Sequence, residues 1–202
     1  MVSRKTRGFS LIEMMIVIAL ILVVTGFSIM ALQPSLKAGH ITQGYNTTLM
    51  ALRQARDLAV AQRQIYFVTL TNAAVPNGLS ITQGSTGNVV AVYALPSDVG
   101  YGTAINLPNS PNAFPTTPDG FGTAAFPIDF DQGVVGGVKN VIYFYPDGSA
   151  QDANGNINNG VVYMAVPPIY GTFRAITLWG ATGRLRGWQL YQNAGQYYWR
   201  QM

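Results

Sequence analysis

The chain contains no cysteine, a single histidine and few charges, which make up 10% of its 202 residues. Without thiols neither a disulfide framework nor a thiolate metal site can form, so a domain exported to an oxidising compartment must hold together by packing alone. His40 stands with no cysteine or carboxylate cluster beside it, the setting of a structural or solvated histidine, and no chemistry is assigned to it. No grouping of serine, histidine and carboxylate has the spacing of an active site, so no enzyme activity, cofactor, metal or small-molecule substrate is expected. Hydrophobic residues nonetheless reach 49%, too many for a disordered chain. The length fits one domain with an appendage better than two enzyme-sized domains.

Part of the apolar content is gathered at the N-terminus. Residues 1–8 read MVSRKTRG, and residues 9–36 read FSLIEMMIVIALILVVTGFSIMALQPSL, with Glu13 as their one charge. About 20 apolar helical residues cross a bilayer, and the uncharged run 14–36 is long enough. Arg4, Lys5 and Arg7 precede it, which places the start of the helix in the cytoplasm and the later residues outside. Removing those three leaves nine basic groups against eight acidic, so the formal charge falls from +4 to +1.

A secretory signal peptide would show a shorter apolar region and an A-x-A-like cleavage site, which this block lacks. A plain membrane anchor accounts for the length but leaves Glu13 without a purpose. A carboxylate costs about 2.5–3.5 kcal/mol near the bilayer centre, less near its edge, so it calls for a partner. Cleavage after Gly8 would free an amino group on Phe9, and the ammonium of one subunit could pair with the carboxylate of a neighbour among packed helices.

The run GFSLIE, residues 8–13, resembles the prepilin peptidase recognition sequence of type IV pilins and type II secretion pseudopilins. The resemblance implies cleavage between Gly8 and Phe9, N-methylation of Phe9, and subunit docking through Phe9 and Glu13. It implies as partners the prepilin peptidase, other pilin or pseudopilin subunits and the bacterial inner membrane, crossed once. It also implies an α+β pilin fold, a long N-terminal helix packed on an antiparallel β-sheet domain. The expected division is a leader at 1–8, a transmembrane and assembly helix at 9–36, its amphipathic continuation at 37–63 and a β-rich globular domain at 64–202.

Pro34 and Gly39 predict a kink or local melting of the helix. Beyond them Ile41, Tyr45, Leu49, Leu52, Ala55 and Ala59 recur every three or four residues, an amphipathic helix to about residue 63 whose stripe should pack on a sheet. Basic residues are too sparse along it for a membrane-surface helix. From residue 64 short runs rich in Val, Ile, Tyr and Phe alternate with Gly, Pro, Asn and Asp. Strands are expected at 64–70, 89–95, 139–145, 160–166, 173–179 and 185–191, forming a single sheet, with 96–127 as a long surface loop. The segment NVIYFYPDGSA, residues 140–150, resembles a strand-turn element of minor pseudopilins of the GspH and FimT type. The missing C-terminal cysteine pair departs from a typical major pilin.

Two stretches raise the question of a ligand. Asp152, Asn154 and Asn156 alternate like the start of a calcium loop, but no bidentate Glu follows and the same residues suit a tight turn. The run Gly183-Arg184-Leu185-Arg186 places its two arginines on one face of a strand. No acid follows Asp152, so Arg174, Arg184, Arg186 and Arg200 form an uncompensated basic end. Arginine grips phosphate bidentately, and Trp188, Tyr197, Tyr198 and Trp199 offer faces for unpaired bases. GRLR resembles the GRxR motif of FimT-like minor pilins, which implies DNA binding by Gly183, Arg184 and Arg186 during uptake in natural transformation. Chance supplies roughly 0.04 such matches in a chain of this composition, and Gly183 also suits a hairpin turn, with arginine guarding an edge strand. Two readings therefore stand: a minor pilin of a type IV pilus that touches DNA, and a GspH-like pseudopilin of a type II secretion system.

Overall fold

A computed structural model describes residues 8–72, 77–102, 118–122, 126–132, 139–166, 172–194 and 196–202. Helix α1 spans Leu11–Gln62. The chain divides into two units, Met1–Leu36 and Lys37–Met202.

In the first unit the Ser10 carbonyl opens the helix, accepting from the amides of Glu13 (3.1 Å) and Met14 (3.2 Å). Ser10 and Glu13 have the S-x-x-E spacing of a capping box, and a carboxylate in the first turn suits the positive end of the helix dipole. The described side chains of the helix up to Leu36 are exposed, including Leu11, Ile12, Ile16, Leu20 and Phe27. Two of its hydroxyls turn back on the helix: Thr25 donates to the Ile21 carbonyl at 2.7 Å and Ser28 to that of Val24 at 2.9 Å. That satisfies these two hydroxyls within the helix, as hydrocarbon surroundings require. This segment is long and apolar enough to cross a membrane.

The local melting expected at Pro34 and Gly39 is absent, since α1 runs through both. A proline withholds one N–H from a long ladder, and the flanking turns carry the helix past it.

In the second unit all six residues of the expected stripe, Ile41, Tyr45, Leu49, Leu52, Ala55 and Ala59, are buried. The helix closes with Arg63 in the left-handed region (φ 53°), and the Gln64 amide reaches back to the Ala59 carbonyl at 3.3 Å. This is a Schellman closure with arginine where glycine is usual.

Among the described residues eleven strands follow: β1 (Tyr66–Thr71), β2 (Gly78–Gln83), β3 (Val89–Ala94), β4 (Gly100–Tyr101), β5 (Ile128–Gln132), β6 (Val141–Phe144), β7 (Ala150–Gln151), β8 (Asn159–Ala165), β9 (Arg174–Trp179), β10 (Arg184–Asn193) and β11 (Gln196–Gln201). Among the described residues they make two antiparallel sheets where one was expected. The first has the order β3-β2-β1-β6-β7, and the second β11-β10-β9-β8-β4 with β5 also paired to β8.

The six expected strands lie within a few residues of β1, β3, β6, β8, β9 and β10. The helix stripe shares one core with β1, β2 and β6 of the first sheet and with Val162, Met164, Ile176 and Leu178 of the second. The opposite face of the second sheet carries Val161, Tyr163 and Ala175, covered by Phe121, Trp188 and Trp199. Strand β8 is therefore buried on both faces, which is why it reads as a continuous apolar run. Much of the expected 96–127 loop, residues 103–117 and 123–125, lies outside the described residues. Its described parts supply β4 and a short 3-10 turn, Pro118–Gly120.

Candidate functional site

At the N-terminal motif a Cβ added to Gly8 would meet nothing within 4 Å beyond its chain neighbours, among the described residues. Phe9 is exposed, and Glu13 lies exposed in the first helical turn, with no ion pair among the described residues. The residues expected to be cut, methylated and paired are thus brought together on one open segment.

The arginine-bearing motif sits on the β9–β10 hairpin. Gly183 has φ +60°, and a Cβ there would overlap the carbonyl oxygen of Gly148 and the side chain of Arg56. Arg56, on α1, binds that carbonyl through Nε at 3.1 Å and the Thr182 carbonyl through Nη2 at 3.3 Å. Glycine at 183 therefore lets the hairpin seat against the helix, which is a structural reason for the residue.

Along β10, Leu185 and Gly187 point to the core, opposite Leu178 and Ile176. A Cβ at Gly187 would strike the Tyr45 hydroxyl. Arg184, Arg186 and Trp188 take the other face, opposite Trp179, Thr177 and Ala175. The two arginines share a face as expected, but their surroundings differ. Arg184 is exposed, with no ion pair among the described residues. Arg186 is half-buried, and its Nη1 donates to Asp119 Oδ1 at 2.7 Å.

Asp119 is the hub of this face. Its Oδ2 accepts from Thr177 Oγ1 at 2.6 Å and from Trp179 Nε1 at 3.2 Å, while Trp188 Nε1 donates to Thr177 Oγ1 at 3.0 Å. The Arg186 guanidinium also lies over the Trp179 ring, 5.4 Å from its centroid. The basic end is therefore not wholly uncompensated: its counterion comes from outside the segment. Of the other cations, Arg174 is half-buried, binds the Phe173 carbonyl at 3.1 Å, and is pushed below the ordinary arginine value by that burial. Arg200 lies over the Tyr191 ring. The aromatics are committed as well, since Trp188, Tyr197 and Trp199 pack on the core and Tyr198 stacks on Tyr191.

Residues 3–29 match the family model of the prokaryotic N-terminal methylation motif. The chain is similar at its N-terminus to type IV pilins. No curated protein and no solved structure matches it. The match is typical of type IV pilins and pseudopilins, and a long helix followed by antiparallel sheets agrees with it. The motif implies processing by a prepilin peptidase and assembly with other pilin subunits, and the apolar helix implies anchoring in a membrane.

Asp152 turns its carboxylate into its own turn, accepting from the amides of Asn154 (2.9 Å) and Asn156 (2.8 Å) and from Asn156 Nδ2 (3.0 Å). Those bonds, led by the one from Asn156, hold its pKa below the ordinary Asp value. Among the described residues no three His, Cys, Asp or Glu side chains gather as metal ligands. His40 Nδ1 lies 2.9 Å from Asp98, an exposed tie between α1 and the segment after β3. The sequence reading missed Asp119 and Arg56, and no local pattern marks them. Asp119 lies 67 residues from Arg186, and Arg56 looks like any charge on the outer face of a helix.

Proposed function

We propose that the chain is a minor pilin subunit of a type IV filament. It is made as a single-pass inner-membrane precursor, clipped after Gly8 and N-methylated on Phe9. The mature subunit assembles through residues 9–36, where Glu13 takes the Phe9 ammonium of a neighbour. The observation that carries this reading is the methylation motif at 3–29 leading into a helix whose described exposed residues up to Leu36 include a single charge, Glu13. The segment from 37 onward then lies beyond the membrane, periplasmic or on an extracellular filament, and acts as a structural subunit rather than an enzyme. Co-expression with a prepilin peptidase should yield a shortened chain beginning at N-methyl-Phe9 by mass spectrometry. A chain that keeps residues 1–8 in the presence of an active peptidase defeats the proposal.

The hairpin supports a finer reading, in which Gly183 shapes the turn and Arg184 and Arg186 contact DNA for uptake in natural transformation. It predicts salt-sensitive anisotropy of labelled DNA with the full chain in nonionic detergent. The alternative, a GspH-like pseudopilin of a type II secretion system, is favoured by the engagement of Arg186 with Asp119, which leaves fewer free cations for a polyanion. No binding at low salt would discard DNA and leave that alternative.

A further inference from the structure

We propose that an arginine-lined notch between α1 and the β9–β10 turn is a phosphate-binding site. The proposal rests on the DNA reading for the source of the phosphate, a nucleic-acid backbone. The notch encloses about 330 Å³ and is lined by Arg53, Arg56, Asp57, Thr182, Gly183, Arg184 and Leu185. Three guanidinium groups thus face one carboxylate. None of the three is in an ion pair among the described residues, and Arg53 and Arg184 are exposed.

The notch exists because of the hairpin's seat on the helix. Arg56 commits Nε and Nη2 to the carbonyls of Gly148 and Thr182, which fixes its charge at the inner end. Arg53 stands one helical turn earlier, on the same side of α1. Arg184 enters from the start of β10, its amide held by Thr182 Oγ1 at 3.3 Å. Cations drawn from two elements and held around one recess concentrate positive potential there, and a phosphate with several oxygens can bridge them as planar guanidinium forks require. The pattern differs from a linear GRxR patch. Arg186 is occupied by Asp119, so the cations that accompany Arg184 come from the helix, 128 to 131 residues upstream in the sequence.

The test uses the full chain in nonionic detergent with a labelled single-stranded oligonucleotide, titrated across salt. Arg53→Gln and Arg184→Gln should each weaken binding on all sequences alike and reduce the salt slope by about one. Arg63→Asn, which removes an exposed charge away from the notch and tolerates positive φ, should leave the slope unchanged. If Arg53→Gln behaves like Arg63→Asn while Arg184→Gln still weakens binding, the notch is overturned and the DNA reading survives. If wild type binds no oligonucleotide, the DNA reading fails, and inorganic pyrophosphate decides the notch. A rise in melting temperature with pyrophosphate that Arg53→Gln abolishes supports a phosphate site with another source. No rise in wild type overturns the notch as well.

Discussion

Asp119 and Gly183 show how single residues fix the hairpin that bears the arginines. Asp119 adopts φ 54°, a conformation that Asp and Asn tolerate better than most residues, and its two oxygens take three donors. Asp119→Asn keeps the backbone preference but replaces an anion with an amide, leaving the half-buried Arg186 without its counterion. We expect a loss of about 1–3 kcal/mol in urea unfolding. An unchanged midpoint would show that solvent satisfies Arg186 equally well. Gly183→Ala combines positive φ with an overlap onto the Gly148 carbonyl, and a loss of about 2 kcal/mol or more is expected from thermal melts. Lost DNA binding in that variant would report the fold of the turn, so arginine substitutions alone are informative about contacts.

At the scale of elements, periodicity made the helix stripe legible: six residues chosen by their spacing alone are all buried. It identified six strands because Val, Ile, Phe and Tyr cluster there. It missed β2 (GLSITQ) and β5 (IDFDQ), whose polar and acidic residues dilute the signal, and β11 (QYYWRQ) at the chain's end. It could not foresee two sheets, because pairing is decided by contacts far apart in sequence.

Turns add a pH dependence. Asp147 is held below its ordinary value first by the Ser149 hydroxyl and then by the Ser149 amide, and Asp152 by the bonds from Asn156 and Asn154. Both pKa values are depressed on folding, so the unfolded chain takes up protons first. The contribution to stability is complete above the ordinary Asp value of about 3.9 and disappears as pH falls through the lower folded values. Asp152→Asn should flatten the melting-temperature profile below pH ~4 relative to wild type. A profile of unchanged steepness would assign the acid sensitivity elsewhere. Strand β3 at a sheet edge exposes Val89, Val90 and Val92 without a charge among them. Val92→Lys is expected to change stability by no more than about 0.5 kcal/mol while reducing light scattering on heating.

For the molecule as a whole, the N-terminus was the most legible part, because a bilayer reads composition directly and a peptidase reads a short linear motif. The arginine hairpin was legible as a pattern of residues, but not as an environment: Asp119 and Arg56 reach it from distant parts of the chain. Glu13 provides the test at this scale. Glu13→Gln removes the charge while keeping the shape, so the variant should insert and be cleaved as well as wild type but be depleted from the sheared filament fraction. Equal incorporation would mean that helix packing alone selects the neighbour, with the carboxylate serving only the first turn of its own helix.

The Asp119–Arg186 tie also bears on inheritance. A short turn that neutralises a strand on another part of the fold is not a free module, since exchanging Pro118–Gly120 for a foreign turn would remove the acid and leave its arginine behind. Turn and hairpin therefore diversify as a linked pair, and a chimera that swaps one without the other should be less stable unless the incoming turn brings an acid of its own.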